Sequence, residues 1–255
     1  MKKLVSIILC LILSISTATL LTGCSPTIFD GEYREVDLSE IETLLPEIKS
    51  ANKDYSIDFA SGVSLYMNVI LSTEKRTLNE NLNMQSTMVN GLLRTKGKVI
   101  SRDNYTDISD QYVVRTNFYC ENNTSYVALT QNDETVKIKY FQSILVSLAE
   151  TLDPIMEYMS IENFVALTRV NTAKWCIDDT SDVLKIKLEY KESNENLKTI
   201  WIFNAEYKLT AFSITASESV ENYSTTKTTF SFQPWTGTIE TPGDLDEYQP
   251  IPNPF

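Results

Sequence analysis

The chain has 255 residues, of which 42% are hydrophobic and 22% are charged, and this composition excludes wholesale disorder. The first 23 residues carry Lys2 and Lys3 and no acid, so the remainder has 34 acidic against 20 basic residues, a charge of −14. That charge argues against nucleic acid and against anionic lipid head groups as direct partners of the folded domain. The absence of histidine excludes Ser-His-Asp and Cys-His catalysis. Because no other motif in the sequence argues for catalysis, we predict no enzyme activity, no cofactor and no metal site.

The amino end has the pattern of an export signal. Lys2 and Lys3 precede an uncharged, apolar or small stretch over residues 4–20, which ends in Leu21-Thr22-Gly23-Cys24. A positive start, an apolar stretch and small residues at the cut are typical of a secretory signal. The last four residues match the lipobox of bacterial lipoproteins. The match predicts a signal peptide over residues 1–23 and a diacylglyceryl, palmitate-type anchor on Cys24, which would hold the protein on the outer side of the cell membrane.

A helix is predicted soon after the anchor. Residues 24–36 are polar enough for a tether, and Asp37 followed by Glu40 is typical of a helix start. Leu38, Ile41, Leu45 and Ile48 recur every three or four residues, which predicts one buried helical face. Pro46 is expected to bend or weaken the second half of this helix.

The apolar period changes to two after Gly62, which predicts strands. Alternating apolar residues occupy Val63 to Leu71, Leu82 to Met88, Gln111 to Cys120, Ser125 to Thr130 and Val136 to Tyr140, with asparagine turn signals at 122–123 and 132–133. Such alternation predicts an antiparallel meander with one buried face.

Helical spacing returns over residues 141–168. Phe141, Ile144, Leu148 and Leu152 have that spacing, and Ser160 is a cap for a short helix that carries Phe164, Val165 and Leu167.

A second meander follows the helices. Its predicted strands are Ala173 to Ile177, Leu184 to Tyr190, Leu197 to Asn204, Tyr207 to Ala216 and Tyr223 to Phe232. We place one domain over residues 37–235, followed by a proline-rich extended tail over residues 236–255.

The order of these elements predicts an α+β fold, in which a curved antiparallel sheet, a half-barrel, wraps around a few helices. The layout resembles the LolA/LppX-like lipoprotein superfamily, in particular its uncharacterised Gram-positive type. The resemblance rests on the lipobox, the early helix, the helical insertion at 141–168, the hairpin Ile200 to Leu209 and the segment Ile239 to Asp244. It implies a cell-envelope protein with a concave face suited to an apolar ligand.

Two functions fit the pattern, besides membrane attachment through the lipid. The first is a binding module for a lipid or other apolar ligand, with Tyr112, Val114, Phe118, Ile186 and Leu188 as candidate lining residues. The second is an interaction lipoprotein with a filled core and an envelope protein partner, for which Tyr66, Tyr119, Trp201 and Phe203 are candidates for an aromatic surface opposite the core.

Two cysteines remain in the domain. Cys120 and Cys176 could pair in a disulfide outside the cytoplasm, or could be two buried small side chains. The densest acidic cluster, Asp178, Asp179 and Asp182, lacks the glycine and terminal glutamate of a calcium loop and is interpreted as a solvated turn.

Overall fold

The computed structural model describes residues 27–53, 59–105, 112–141, 160–170, 173–180, 182–192, 195–218 and 225–251. Within these ranges the fold is one large sheet with two α-helices, α1 (Leu38–Ala51) and α2 (Ile161–Leu167). Neither described helix is long and apolar enough to cross a membrane.

Thirteen strands form the sheet within the described residues. They are β1 (Arg34–Val36), β2 (Val63–Ser72), β3 (Arg76–Val89), β4 (Leu92–Tyr105), β5 (Tyr112–Glu121), β6 (Thr124–Gln131), β7 (Glu134–Tyr140), β8 (Lys174–Asp178), β9 (Leu184–Glu192), β10 (Glu195–Phe203), β11 (Leu209–Glu218), β12 (Thr225–Pro234) and β13 (Gln249–Pro250).

The sheet joins two meanders. Its strand order is β1-β8-β9-β10-β11-β12-β2-β3-β4-β5-β6-β7-β13. All neighbours are antiparallel apart from β7 and β13, and β12 pairs with β2 to connect the meanders. The sheet is curved and open, with β1 and β13 at its two edges. The prediction of one antiparallel sheet with few helices is thereby confirmed at this coarser level.

Alternating side chains give the sheet two different faces. Val63, Leu65 and Met67 of β2 point to the side that carries the helices, here called the inner face, while Tyr66 and Asn68 point to the outer face. The predicted turns at 122–123 and 132–133 are confirmed, because Asn122, Asn132 and Asp133 have positive φ angles between 48° and 64°, which asparagine and aspartate adopt more readily than most residues. Asn90, at a turn that was not predicted, has a φ of 52°.

The main core lies between the inner face and the two helices. Ile41 and Ile48 of α1 and Phe164 of α2 are completely buried there, so the predicted apolar face of the first helix is confirmed. Helix α1 also continues through Pro46 to Ala51. The Ser160 hydroxyl accepts a hydrogen bond of 3.0 Å from the Asn163 amide, which confirms the predicted cap of α2. The part of the predicted helical insertion at 142–159 lies outside the described residues.

Residues 27–36, here called the N-terminal segment, pack on the outer face of the second meander. Phe29 is buried against Ile200, Ile202 and Ala211, and β1 pairs with β8. A Cβ atom on Gly31 would lie 2.1 Å from Asp178 Oδ2, so any larger residue requires the Asp178 side chain or the segment to shift. These ten residues belong to the range that the sequence assigned to a tether.

Residues 238–251, here called the C-terminal segment, pack on the outer face of the first meander. Ile239 is completely buried, and its carbonyl accepts a hydrogen bond of 3.1 Å from Arg94. Lys137 Nζ lies 2.6 Å from Asp244 and 2.5 Å from Glu247. The tail that the sequence predicted to be extended runs over the surface in this range, and its strand β13 lies at the sheet edge.

Candidate functional site

The five residues predicted to line a ligand site all lie on the inner face, but in two separate parts of it. Tyr112, Val114 and Phe118 share one face of β5, and Ile186 and Leu188 share one face of β9. Four of them are buried, with exposed fractions between 0% and 4%, whereas Tyr112 is 55% exposed.

An aromatic cluster fills the inner face of the second meander. The ring of Phe164 from α2 lies 5.0 Å from Trp201, 5.8 Å from Trp175 and 6.1 Å from Phe203, each with edge-to-face geometry, an arrangement that aromatic pairs favour. Ile186 and Leu188 belong to the same core. They are therefore covered by side chains and do not line an open cleft.

The predicted aromatic surface opposite the core is wrong for two of its four residues. Trp201 and Phe203 point inward and are completely buried, because Ile200 and Ile202 take the outer positions of β10 and lie under Phe29. Tyr66 and Tyr119 do lie on the outer face. Tyr119, however, is buried at the C-terminal segment, where its hydroxyl lies 3.4 Å from that of Thr241.

Cys120 and Cys176 are both buried, and they do not form a disulfide with each other. Cys120 points to the inner face, where its sulfur lies 3.1 Å from the Ser125 hydroxyl. Cys176 occupies the outer face of β8, opposite Glu35 and Lys187. Of the two alternatives that the sequence left open, the structure has the buried thiols and no disulfide.

A cavity of about 420 Å³ opens at one end of the sheet, beside the core. Three pieces of chain form its walls, namely the first half of α1, the connection from β8 to β9, and the turn from β10 to β11. Its lining residues are Glu40, Thr43, Leu44, Ile177, Asp179, Asp182, Val183, Leu184, Asn204, Ala205 and Tyr207. This volume is in the range of small-molecule and side-chain pockets.

The cavity has an apolar floor and an acidic rim. Leu44, Ile177 and Leu184 are aliphatic floor residues, whereas Glu40, Asp179 and Asp182 bring carboxylates. Arg34 lies 2.5 Å from Glu40 and 3.2 Å from Asp179, and its hydrogen bonds to Glu40 lower the pKa of that carboxyl. The net charge of the rim is therefore negative, because one arginine faces three carboxylates.

Asn52, which follows α1, joins two walls of the cavity. It is buried, and its amide nitrogen donates to the carbonyls of Ile48 at 2.7 Å and of Tyr207 at 2.8 Å. Its amide oxygen accepts a hydrogen bond of 3.0 Å from the Leu209 amide. The β10–β11 turn is thus held against α1, and Tyr207 takes a φ of 60° within it.

The acidic cluster at 178–182 divides between two environments. Asp178 is buried on the outer face, 3.5 Å from Lys185, and hydrogen bonds from Thr180 lower the pKa of its carboxyl. Asp179 and Asp182 are exposed at the cavity rim. Within the described ranges no group of three or more acids and cysteines is arranged to hold a metal ion.

Sequence reasoning did not find the cavity, because its lining comes from segments near residues 40, 180 and 205. Only the acidic cluster gave a local signal. Comparison with known proteins adds no assignment, since no family model matches the chain and no curated protein matches it.

Proposed function

We propose that the chain is a lipoprotein of the outer side of the cell membrane, anchored by lipid on Cys24. The support is the sequence of the amino end, where two lysines, an uncharged apolar stretch and Leu21-Thr22-Gly23-Cys24 follow one another. The open, curved antiparallel sheet with helices on its inner face is compatible with a half-barrel of the LolA/LppX-like type, and we propose that relationship as well.

The anchor is tested by replacing Cys24. We expect Cys24→Ala to move the protein out of the membrane fraction and to abolish labelling with an alkyne analogue of palmitate, because the acceptor thiol is lost. Cys10→Ala is the matched control, since Cys10 lies within the predicted signal peptide and its loss leaves the anchor intact. Membrane retention of Cys24→Ala would refute the lipid anchor.

We further propose that the domain is a binding module for an envelope protein and that the cavity beside the core is its binding site. One observation carries this proposal: the inner face next to Ile186 and Leu188 is filled by the Phe164 cluster, while the described cavity is open at the edge of that core and has an acidic rim. A basic side chain with an aliphatic stem fits both the apolar floor and the negative rim.

Site-specific photocrosslinking tests the binding site. A photoreactive amino acid at Ala205, on the cavity wall, is expected to capture one main partner in intact cells. The same amino acid at exposed Glu42 of α1, which is absent from the cavity lining, is the control for random capture.

Charge reversal tests the chemistry of the rim. Asp182→Lys should reduce the yield of the Ala205 adduct by about tenfold, because a positive rim repels a basic partner. Asp246→Lys, a change of the same kind in the exposed C-terminal segment, should leave it unchanged. If Asp182→Lys and the protein with its natural rim give equal yields of the Ala205 adduct, the proposed recognition of a basic partner is refuted.

A lipid or other apolar ligand is the second candidate, and the inner face of the first meander favours it. Val99, Leu129 and Val136 lie near one another across β4, β6 and β7 on that face. Val136 is 58% exposed and Tyr112, farther along β5, is 55% exposed. Native mass spectrometry of the purified domain tests this candidate, and Val136→Asp should then remove any bound lipid. A protein that carries no lipid in either form would exclude it.

A further inference from the structure

The outer face of the sheet is basic although the protein as a whole is acidic. Thirteen of the lysines and arginines in the described strands have outer-face positions: Arg94, Lys96, Lys98, Arg102, Arg115, Lys137, Lys139, Lys174, Lys185, Lys187, Lys191, Lys198 and Lys227. Four acids of these strands share that face, namely Glu35, Glu121, Asp178 and Glu189. The net charge of −12 therefore does not describe this surface.

The C-terminal segment neutralises one part of the outer face. It carries Asp244 and Glu247, which both pair with Lys137 of β7. The basic side chains of the second meander lie away from this segment. Four of these lysines form a group that is here called the outer basic patch. Its members are Lys187, Lys191, Lys198 and Lys227.

Strand pairing brings the members of the patch together. On β10, Lys198 lies opposite Glu189 of β9, whose neighbours on the same face are Lys187 and Lys191. On its other side Lys198 lies opposite Thr215, which in turn lies opposite Lys227 of β12. Glu189 is the one acid between these strand positions. The Glu189 carboxylate lies 3.2 Å from Lys187 Nζ. Among the described residues, no ion pair engages Lys191, Lys198 or Lys227.

The chain leads from the patch to the predicted lipid anchor. Phe29 packs on Ile200, which lies two residues, or about 7 Å, from Lys198 on the same strand face. The Tyr33 ring lies 5.0 Å from Lys187 Nζ. From Phe29 back to Cys24 there are five residues, which span at most about 18 Å when fully extended. A lipid on Cys24 therefore brings this part of the outer face close to the bilayer.

We propose that the outer basic patch rests on the anionic lipid surface into which Cys24 is anchored. The contact is made through Lys191, Lys198 and Lys227, because the Lys187 side chain is only 16% exposed and pairs with Glu189. Lysines near such a surface each add electrostatic attraction, which acts in addition to the buried acyl chains of the proposed anchor. The inner face and the helices then point away from the bilayer. The lipid part of this arrangement rests on the proposed anchor, whereas the attraction of the patch does not.

Vesicle binding without the lipid tests the patch separately from the anchor. The chain from residue 24 onwards with Cys24→Ser is mixed with vesicles of equal parts phosphatidylglycerol and phosphatidylcholine, or of phosphatidylcholine alone, and sedimented at low and high salt. We expect binding to the anionic vesicles alone, weakened by salt, and about tenfold weaker for Lys198→Glu with Lys227→Glu.

A matched pair of charge reversals off the sheet is the control. Lys49→Glu with Lys53→Glu changes two exposed lysines at the end of α1 and should leave vesicle binding unchanged. Equal losses from both pairs, or equal binding to the two kinds of vesicle, would overturn the proposal. Preference for a soluble anionic cell-wall polymer over vesicles at equal phosphate concentration would also overturn it. Failure of Cys24→Ala to release the protein would instead refute the anchor.

Discussion

Individual polar side chains connect the parts of this fold, and Asn52 shows how much depends on one of them. With its three hydrogen bonds it satisfies backbone groups of α1 and of the β10–β11 turn at the same time. Nothing in the sequence marks this asparagine, because its partners Tyr207 and Leu209 are remote in the chain. The cavity wall that it holds could therefore not be predicted.

We expect Asn52→Ala to lower the free energy of unfolding by about 2 kcal/mol, because it leaves buried backbone groups without partners. Urea unfolding of the chain from residue 24 onwards measures the change. Asn196→Ala, which truncates an exposed asparagine of β10, should be nearly neutral. If Asn52→Ala lowers the free energy of unfolding no more than Asn196→Ala does, the three hydrogen bonds of Asn52 do not stabilise the fold.

Glu80 lies on the inner face of β3, where burial raises the pKa of its carboxyl despite a hydrogen bond of 2.5 Å from the Ser101 hydroxyl. The folded state then binds the proton more tightly than the unfolded state, so this residue makes stability fall as pH rises above the ordinary value of 4.5.

Glu80→Gln is therefore expected to be more stable than the natural protein at neutral pH, by about 1 kcal/mol, with the difference vanishing below pH of about 4. Denaturant unfolding at several pH values measures it. Glu74→Gln, at an exposed turn position, serves for comparison and should show no such crossover. A difference between Glu80→Gln and the natural protein that is independent of pH would contradict the assignment.

Among the elements, those with strong alternation were predicted and those without it were missed. Strand β4 was not predicted, because its outer positions hold Arg94, Lys96 and Lys98 and its inner positions include Gly97, so the usual apolar alternation is weak. Its turn at Asn90-Gly91, with both φ angles positive, was the available signal. The inward direction of Trp201 was missed because β10 is apolar on both faces, Ile200 being covered by Phe29.

The N-terminal segment depends on a close approach at Gly31. Because an added Cβ would lie 2.1 Å from Asp178 Oδ2, Gly31→Ala should displace the segment and cost about 1 to 3 kcal/mol of its local stability. Burial and the charges of Asp178 and Asp30 raise the pKa of Tyr33 to about 12, so a lower tyrosine pKa would report the displacement.

Hydrogen exchange over residues 27–36 is the direct measurement for Gly31→Ala, with faster exchange expected there and unchanged exchange in α1. Gly243→Ala places a methyl group where no atom lies within 4 Å. It should change hydrogen exchange neither in residues 27–36 nor in α1. If exchange in the segment is the same in both variants, the segment is not held by this approach.

At the scale of the whole molecule, the two buried thiols report on the integrity of the sheet. Cys120 and Cys176 are 1% and 3% exposed and lie in different meanders on opposite faces. In the chain from residue 24 onwards with Cys24→Ser, we expect neither cysteine to react with a thiol reagent in the folded state and both to react in urea, in one transition. Prior reduction should not change the count. Fewer reactive thiols in urea without reductant would indicate a disulfide.

The pairing of β2 with β12 joins residues 63–72 to residues 225–234, and it has a consequence during synthesis. A ribosome releases β2 long before its second neighbour exists, so the backbone groups along that side of the nascent meander face solvent until almost the entire chain has been made. Unpaired strand edges of this kind invite pairing with other chains. Products that terminate before residue 225 should therefore self-associate. In a completed chain this edge of β2 is no longer exposed, because β12 pairs with it.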